Sequence, residues 1–388
     1  MENTPGSGTV SDDYLLYYPP ADRVHPQSHR ARSASGIRLV TPTAYWQNTG
    51  MKTIVLEEPG KLVVTETEPP AGIGEAETLV RVRSVGICGT DLHAYRGRQP
   101  FFEYPRILGH ELGVEILETC ESPNGLRAGD LCSVEPYLNC GDCVACRAER
   151  PNCCVSLQVL GVHIDGGMRE VISVPTSKLH PSAELSADQL ALVETLGIGS
   201  HAVERASLTP GESVLVTGCG PIGLGVIQFA QLAGARLIVI DLDPERLRFC
   251  RDHFNVENTI IAGESARAEL AETLSGELPT AVFDATGNAN SMMGSFQYVS
   301  QGGRIIFVGI VMDGITFHDP DFHRMELTIL ASRNCRPQDF RRIIAGMESG
   351  AIDTRPWITH RSSCEDFVES FGRWVEPGSG VVKAVLDM

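Results

Sequence analysis

From Met51 onward the apolar and polar positions fall into short runs separated by Pro and Gly. Met51–Leu56, Leu62–Thr67 and Thr78–Val85 are β-rich. In the last of these, Val80, Val82 and Val85 alternate roughly with Arg81, Arg83 and Ser84, as on a half-buried strand. The three runs predict a small β-barrel-like domain. The pattern changes at Ser213. An apolar strand, Ser213–Thr217, leads through a glycine-containing turn into a helical run, Leu224–Ala233, that ends at Gly234. A second strand follows at Arg236–Ile240, and Ala281–Asp284, Arg304–Val308 and Leu327–Leu330 supply more. This alternation predicts a doubly wound parallel sheet, so the expected fold class is α/β with an additional β-rich domain.

Residues 1–50 show no such periodicity. They are rich in Ser, Pro, Gly and Thr and are expected to form a disordered extension. Arg23, Arg30, Arg32 and Arg38 among serines would suit a transit peptide, but Glu2, Asp12, Asp13 and Asp22 are unwelcome in one.

The 388-residue length allows two or three domains, and no apolar run reaches the roughly eighteen residues a membrane span needs. With 32 Lys+Arg against 49 Asp+Glu, the net charge of −17 argues against a nucleic-acid partner. Among 12 cysteines, four crowd into one array, which favours metal ligation in a reducing, cytoplasmic setting over a disulfide framework. Cys120, Cys132 and Cys250 read as ordinary buried thiols.

The stretch from Gly86 to Glu111 holds the candidate chemistry. Cys88, followed by Thr90, Asp91 and His93, precedes Gly109-His110-Glu111 by a loop. A thiolate, an imidazole and a carboxylate are donors that zinc accepts, and three protein ligands with an open position make a catalytic site. Cys140, Cys143, Cys146 and Cys154, spaced C-x2-C-x2-C-x7-C, offer four thiolates and so a closed, structural zinc site. Cys153 neighbours the last of them, and Cys154 gives the chosen register. Two zinc ions per chain are expected.

Gly218-Cys219-Gly220-Pro221-Ile222-Gly223 lies between strand and helix, with Asp241 at the end of the next strand. Placed so, the glycines admit a pyrophosphate to backbone amides at a helix N-terminus, and the acid accepts from ribose hydroxyls. Asp241 would repel a 2′-phosphate, which favours NAD over NADP. Arg246 could lie over the adenine ribose. Thr286-Gly287 and Gly309-Ile310 follow strands and should flank the nicotinamide.

With both cysteine-containing arrays and the dinucleotide turn in one chain, the sequence resembles the zinc-dependent medium-chain dehydrogenases, a likeness covering nearly all of Met51–Met388. The resemblance implies a GroES-like catalytic domain over 51–195 that carries the zinc lobe. It places a Rossmann NAD-binding domain over 196–330 and a return segment over 331–388. It implies a homodimer or homotetramer, with Thr90 and His93 as a proton relay and Glu194 as a carboxylate beside the metal. Arg333 would stand near cofactor and substrate. Asp91 is expected to orient His110.

Tyr95, Arg98, Gln99, Tyr137, His163, Arg333 and Asn334, interleaved with Phe101 and Phe102, are too polar for a simple alkanol site and favour a polyhydroxylated substrate. The segments Tyr104–Glu111, Gly161–Gly167 and Thr354–Arg361 resemble the bacterial branch containing L-galactonate and L-gulonate 5-dehydrogenases. The leading expectation is oxidation of a secondary alcohol in a polyol or sugar acid. Threonine-type amino-alcohol oxidation is second, followed by a catalytically silent nucleotide-binding relative and a zinc-storage module.

Overall fold

In the computed structural model, which describes residues 50–99, 102–119, 125–376 and 378–388, the alternating runs form strands. The expected N-terminal extension (Gly50 apart), Phe101 and Cys120 lie outside the described residues.

The chain begins with β1 (Met51–Glu58), β2 (Lys61–Thr67), β3 (Glu77–Ile87), α1 (Gly89–Tyr95), β4 (Arg106–Ile107) and β5 (Glu111–Thr119). β6 (Leu131–Val134), β7 (Tyr137–Leu138), α2 (Val144–Arg147), β8 (Gln158–Val159), β9 (Val171–Pro175) and β10 (Leu179–Ser182) follow. α3 (Ala187–Ala206) leads to β11 (Ser213–Thr217), α4 (Pro221–Leu232), β12 (Arg236–Asp241), α5 (Pro244–Phe254), β13 (Asn258–Ile261) and α6 (Ala266–Thr273). Then come β14 (Ala281–Asp284), α7 (Ala289–Gly294), β15 (Arg304–Phe307), α8 (Asp319–Arg324) and β16 (Thr328–Ala331). α9 (Pro337–Glu348), β17 (Ile358–Ser363), α10 (Phe367–Trp374) and β18 (Lys383–Asp387) close the chain.

Two sheets matter for the site. One runs β10-β6-β5-β3-β18-β17, with β9 also paired to β3. Here the C-terminal strand β18 returns to lie antiparallel beside β3, pairing Ala384 with Ile87. The other sheet, β13-β12-β11-β14-β15-β16, is parallel throughout. Its central strands are apolar on both faces, and the buried Val214, Leu215, Val216, Val282 and Phe283 fit a sheet covered on both sides. The strand order reverses between β11 and β14, where such folds open a crevice beyond the strand ends.

α3 joins the two halves. Its Ser186 cap accepts from the Gln189 amide, and burial runs from Leu190 to Ala206. The 195/196 division drawn from the sequence therefore falls inside one continuous helix. α3 packs tightly on both sides. A Cβ added to Gly113 of β5 would sit 1.9 Å from the Ala187 carbonyl oxygen, and one on Gly199 would sit 2.2 Å from the Gly225 carbonyl carbon of α4.

Candidate active site and cofactor crevice

The first donor set assembles through sheet register. β3 and β5 are antiparallel with Gly86 opposite Glu111, which puts Cys88, just past β3, beside His110, just before β5. The sulfur, imidazole and carboxylate donor atoms lie within 4.8 Å of one another. Gly86 leaves the space for this: a Cβ there would stand 2.1 Å from Glu111 Oε2. His110 and Glu111 are buried, at 5% and 1% exposure, and Cys88 is half-buried.

Asp91 faces His110 with one oxygen and caps α1 with the other. Its Oδ2 accepts from the Cys88 amide at 2.9 Å, at the start of α1, while Oδ1 stands 3.8 Å from His110 Nδ1, beyond hydrogen-bond range. Its influence on His110 is electrostatic. Burial opposes protonation of the imidazole, but Asp91 and Cys88 outweigh it and raise the His110 pKa well above the ordinary range.

Glu194 projects from α3 at 5% exposure, which rules out a surface residue. Burial raises its pKa, and the His110 charge opposes the shift. Tyr137 donates its hydroxyl to Glu194 Oε1, and Cys335 Sγ lies 3.9 Å from that hydroxyl.

Lys383 is the residue that sequence reasoning missed. From β18 its ammonium reaches both Glu111 oxygens at 2.6 Å and the Ile87 carbonyl at 3.2 Å, with the side chains of Lys383 and Glu111 both 1% exposed. Burial alone would raise the Glu111 pKa, but Lys383 and His110 hold it below the ordinary carboxylate value. Nothing in the apolar C-terminal run around Lys383 marks it as functional; only the β18–β3 pairing reveals it.

Thr90 and His93 both lie on α1, three positions apart and so on neighbouring faces. Thr90 is half-buried and His93 exposed, and no hydrogen bond joins them among the described residues.

The cysteine lobe converges independently. Cys140, Cys143, Cys146 and Cys154 place their sulfurs within 4.8 Å of one another, with 3.4 Å between Cys154 and Cys140 and 4.0 Å between Cys140 and Cys146. Zinc–sulfur bonds of about 2.3 Å in a tetrahedron require sulfurs about 3.8 Å apart, so the lobe fits zinc. Cys153 is exposed and outside the cluster. The Cys146 backbone, the largest influence, helps lower Cys143 to about 6. A third group, His201, Glu204 and Asp339, already has Arg336 and Arg342 on Glu204. It is an ion-pair network.

At the crevice, Gly218 takes φ +90°, and a Cβ on Gly223 would lie 1.7 Å from the Gly218 carbonyl oxygen. Only glycine closes this turn onto α4, whose N-cap is Gly220 and whose first residue is Pro221, followed by Ile222. Asp241 Oδ2 accepts from the Cys219 amide at 2.6 Å and Oδ1 from the Asp243 amide at 2.8 Å, so the acid also braces the turn. Arg246 Nη1 lies 3.7 Å from where a Gly220 Cβ would be, over the open side of the turn. Thr286 hydrogen-bonds Asp284, and the Gly287 and Gly309-Ile310 loops adjoin beyond β14 and β15. The amides, open space and nearby guanidinium suit a pyrophosphate. Arg333 is exposed, and its guanidinium makes no hydrogen bond or ion pair among the described residues.

Residues 74–184 match the alcohol dehydrogenase GroES-like domain family and residues 221–349 the zinc-binding dehydrogenase family. L-Galactonate-5-dehydrogenase of Escherichia coli K12 is 38% identical over 336 residues, covering 87% of this chain and 98% of that protein. The chain belongs to the zinc-dependent medium-chain dehydrogenases. Within this dehydrogenase family it resembles the branch that contains L-galactonate-5-dehydrogenase. The structure of an alcohol dehydrogenase (rspB) from E. coli CFT073 complexed with NADH superposes with TM-score 0.81 at 29% identity, covering 88% of this chain and 100% of that one. A zinc-binding dehydrogenase from Sinorhizobium meliloti 1021 bound to NADP gives 0.81 at 28%, with the same coverage. No helix among the described residues of this dehydrogenase is long and apolar enough to cross a membrane.

Proposed function

We propose that this dehydrogenase oxidises a secondary alcohol of a sugar acid, with L-galactonate or L-gulonate at C5 as the leading candidates, and uses NAD. The observation that carries the reaction type is the convergence of Cys88, His110 and Glu111 donors within 4.8 Å at the end of β3. The donor set fits zinc, which when bound supplies Lewis acidity that makes a hydroxyl acidic near neutral pH. The Arg333 guanidinium, which has no partner among the described residues, supports an acidic substrate, since it suits a carboxylate. The 38% identity to an L-galactonate-5-dehydrogenase points the same way.

The protein's own groups take defined parts. Cys88, His110 and Glu111 hold the metal, with Lys383 keeping Glu111 anionic. Glu194, fixed by Tyr137, lines the open side. Thr90 receives the substrate proton and passes its own to a group bridging it to His93, the exposed member on the same helix, which releases it to water. Gly218, Gly220, Pro221, Ile222 and Gly223 seat the pyrophosphate with Arg246 above them. Asp241 binds the adenosine ribose hydroxyls, and Thr286, Gly309 and Ile310 flank the nicotinamide. The four-cysteine lobe holds a second zinc. The active form is a cytoplasmic homodimer or homotetramer.

The test is a panel of L-galactonate, L-gulonate, neutral polyols and L-threonine with NAD and with NADP, read by nicotinamide absorbance. Turnover of the sugar acids with NAD supports the reading; turnover confined to L-threonine or to neutral polyols overturns it. Cys88→Ser should abolish turnover while leaving NADH binding largely intact.

A further inference from the structure

We propose that Asn152, in the four-cysteine lobe, is a positioning residue for the segment Arg333–Asn334, which faces the substrate. Asn152 lies between Cys146 and Cys154 and is 3% exposed. Its amide nitrogen donates to the Arg333 carbonyl at 2.9 Å and stands 3.1 Å from His201 Nε2 on α3. Because the Arg333 carbonyl can only accept, the amide must turn its nitrogen this way. His201 Nε2 is then the acceptor for the second N–H, and the ring proton sits on Nδ1, 3.9 Å from Asp339 Oδ2. One side chain thus ties the lobe, the helix that carries Glu194 and the return segment together.

The anchored segment needs such a tie. Asn334 has a left-handed backbone, at φ +51°. Its amide nitrogen is buried with no partner, and the Arg333 guanidinium has none among the described residues. Neither side chain holds the segment in place, so both are left to meet a ligand. The next residue, Cys335, packs on Gly197 and lies 3.9 Å from the Tyr137 hydroxyl that binds Glu194. The main chain of Arg333–Cys335 is therefore set by contacts from outside it, and among the described residues the one hydrogen bond to the Arg333 carbonyl comes from the lobe. A four-cysteine site that reacts with nothing gains a role here: it fixes the loop that presents Arg333.

The aim on Arg333 as a substrate contact rests on the proposed function, so the experiment has two arms. In Asn152→Ala, hydrogen exchange of the peptide Ala331–Arg336 should speed up about fivefold or more, while the peptide spanning Gly218–Gly223 stays unchanged. This arm needs no substrate. In the second arm, with L-galactonate and NAD as probes, KM for L-galactonate should rise about tenfold and KM for NAD should stay within about twofold, at unchanged zinc content. Unchanged exchange in Ala331–Arg336 overturns the proposal, as does an equal rise in both KM values. If wild-type enzyme leaves L-galactonate untouched, the substrate reading fails and the exchange arm still decides on Asn152. Should Asn152→Ala not fold, His201→Leu removes the amide's second partner, and faster exchange in the same peptide is required of it; unchanged exchange overturns the proposal.

Discussion

Lys383 Nζ stands 2.6 Å from each carboxylate oxygen of Glu111, and both side chains are 1% exposed. Such a pair is strongly destabilised when one partner is removed, by about 3–5 kcal/mol, because the other charge stays buried and uncompensated. Lys383→Met should therefore lower the melting temperature sharply in zinc-free protein. A divalent ion bound by Cys88, His110 and Glu111 replaces the lost counter-charge, so the deficit should shrink in zinc-loaded protein. Melting curves of both forms, with and without the substitution, check this; equal deficits would show that Glu111 does not face the metal.

The two adjacent cysteines separate cleanly. Cys154→Ser should remove the lobe's zinc and destabilise the fold, whereas Cys153→Ser should leave zinc content and melting temperature unchanged. Metal analysis of the two variants decides the register.

Asp241 braces the Cys219 amide and, in the proposed function, also binds the ribose hydroxyls. Asp241→Ala should raise KM for NAD by roughly tenfold or more and KM for NADP by much less. An unchanged preference in steady-state kinetics would assign cofactor choice to another residue, with Arg246 next in line.

At the base of the parallel sheet, Glu212 binds the Arg304 guanidinium at 2.8 Å and accepts from Thr280 at 2.5 Å. Burial would raise its pKa, but these partners outweigh it and bring the carboxyl down to about 2 from the ordinary 4.5. A depressed carboxyl stabilises the fold above its unfolded value, and that contribution fades as pH falls from about 4.5 toward about 2. Glu212→Gln should melt about 2–4 °C below wild type at pH 7, and the gap should close by about pH 3 or lower. A gap that persists in acid would mean that packing, not charge, is at work.

How much of this was legible in the sequence follows from the range of each signal. The strand–turn–helix around Gly218 and the cysteine spacing are local, and the structure places those elements within a residue or three of where the pattern puts them. Cys88, His110 and Glu111 are distant by a loop, yet antiparallel register brings them together. Lys383 was invisible because its partner lies across the whole chain, and one apolar strand carries no sign of what it will pair with. Asp91 does stand beside His110, but that its other oxygen also caps α1 is a contact only the structure shows. The Asn152–Arg333 contact was equally out of reach, being a side-chain-to-backbone bond between elements with no shared pattern.

The interlock of Gly199 with Gly225 has a mechanical consequence. With no side chain between them, the backbones of α3 and α4 meet directly, so the helix that begins at the glycine turn lies against the one bearing Glu194. A side chain at Gly199 would meet the Gly225 backbone at 2.2 Å, so any residue larger than glycine there pushes the carboxylate-bearing helix away from the glycine turn.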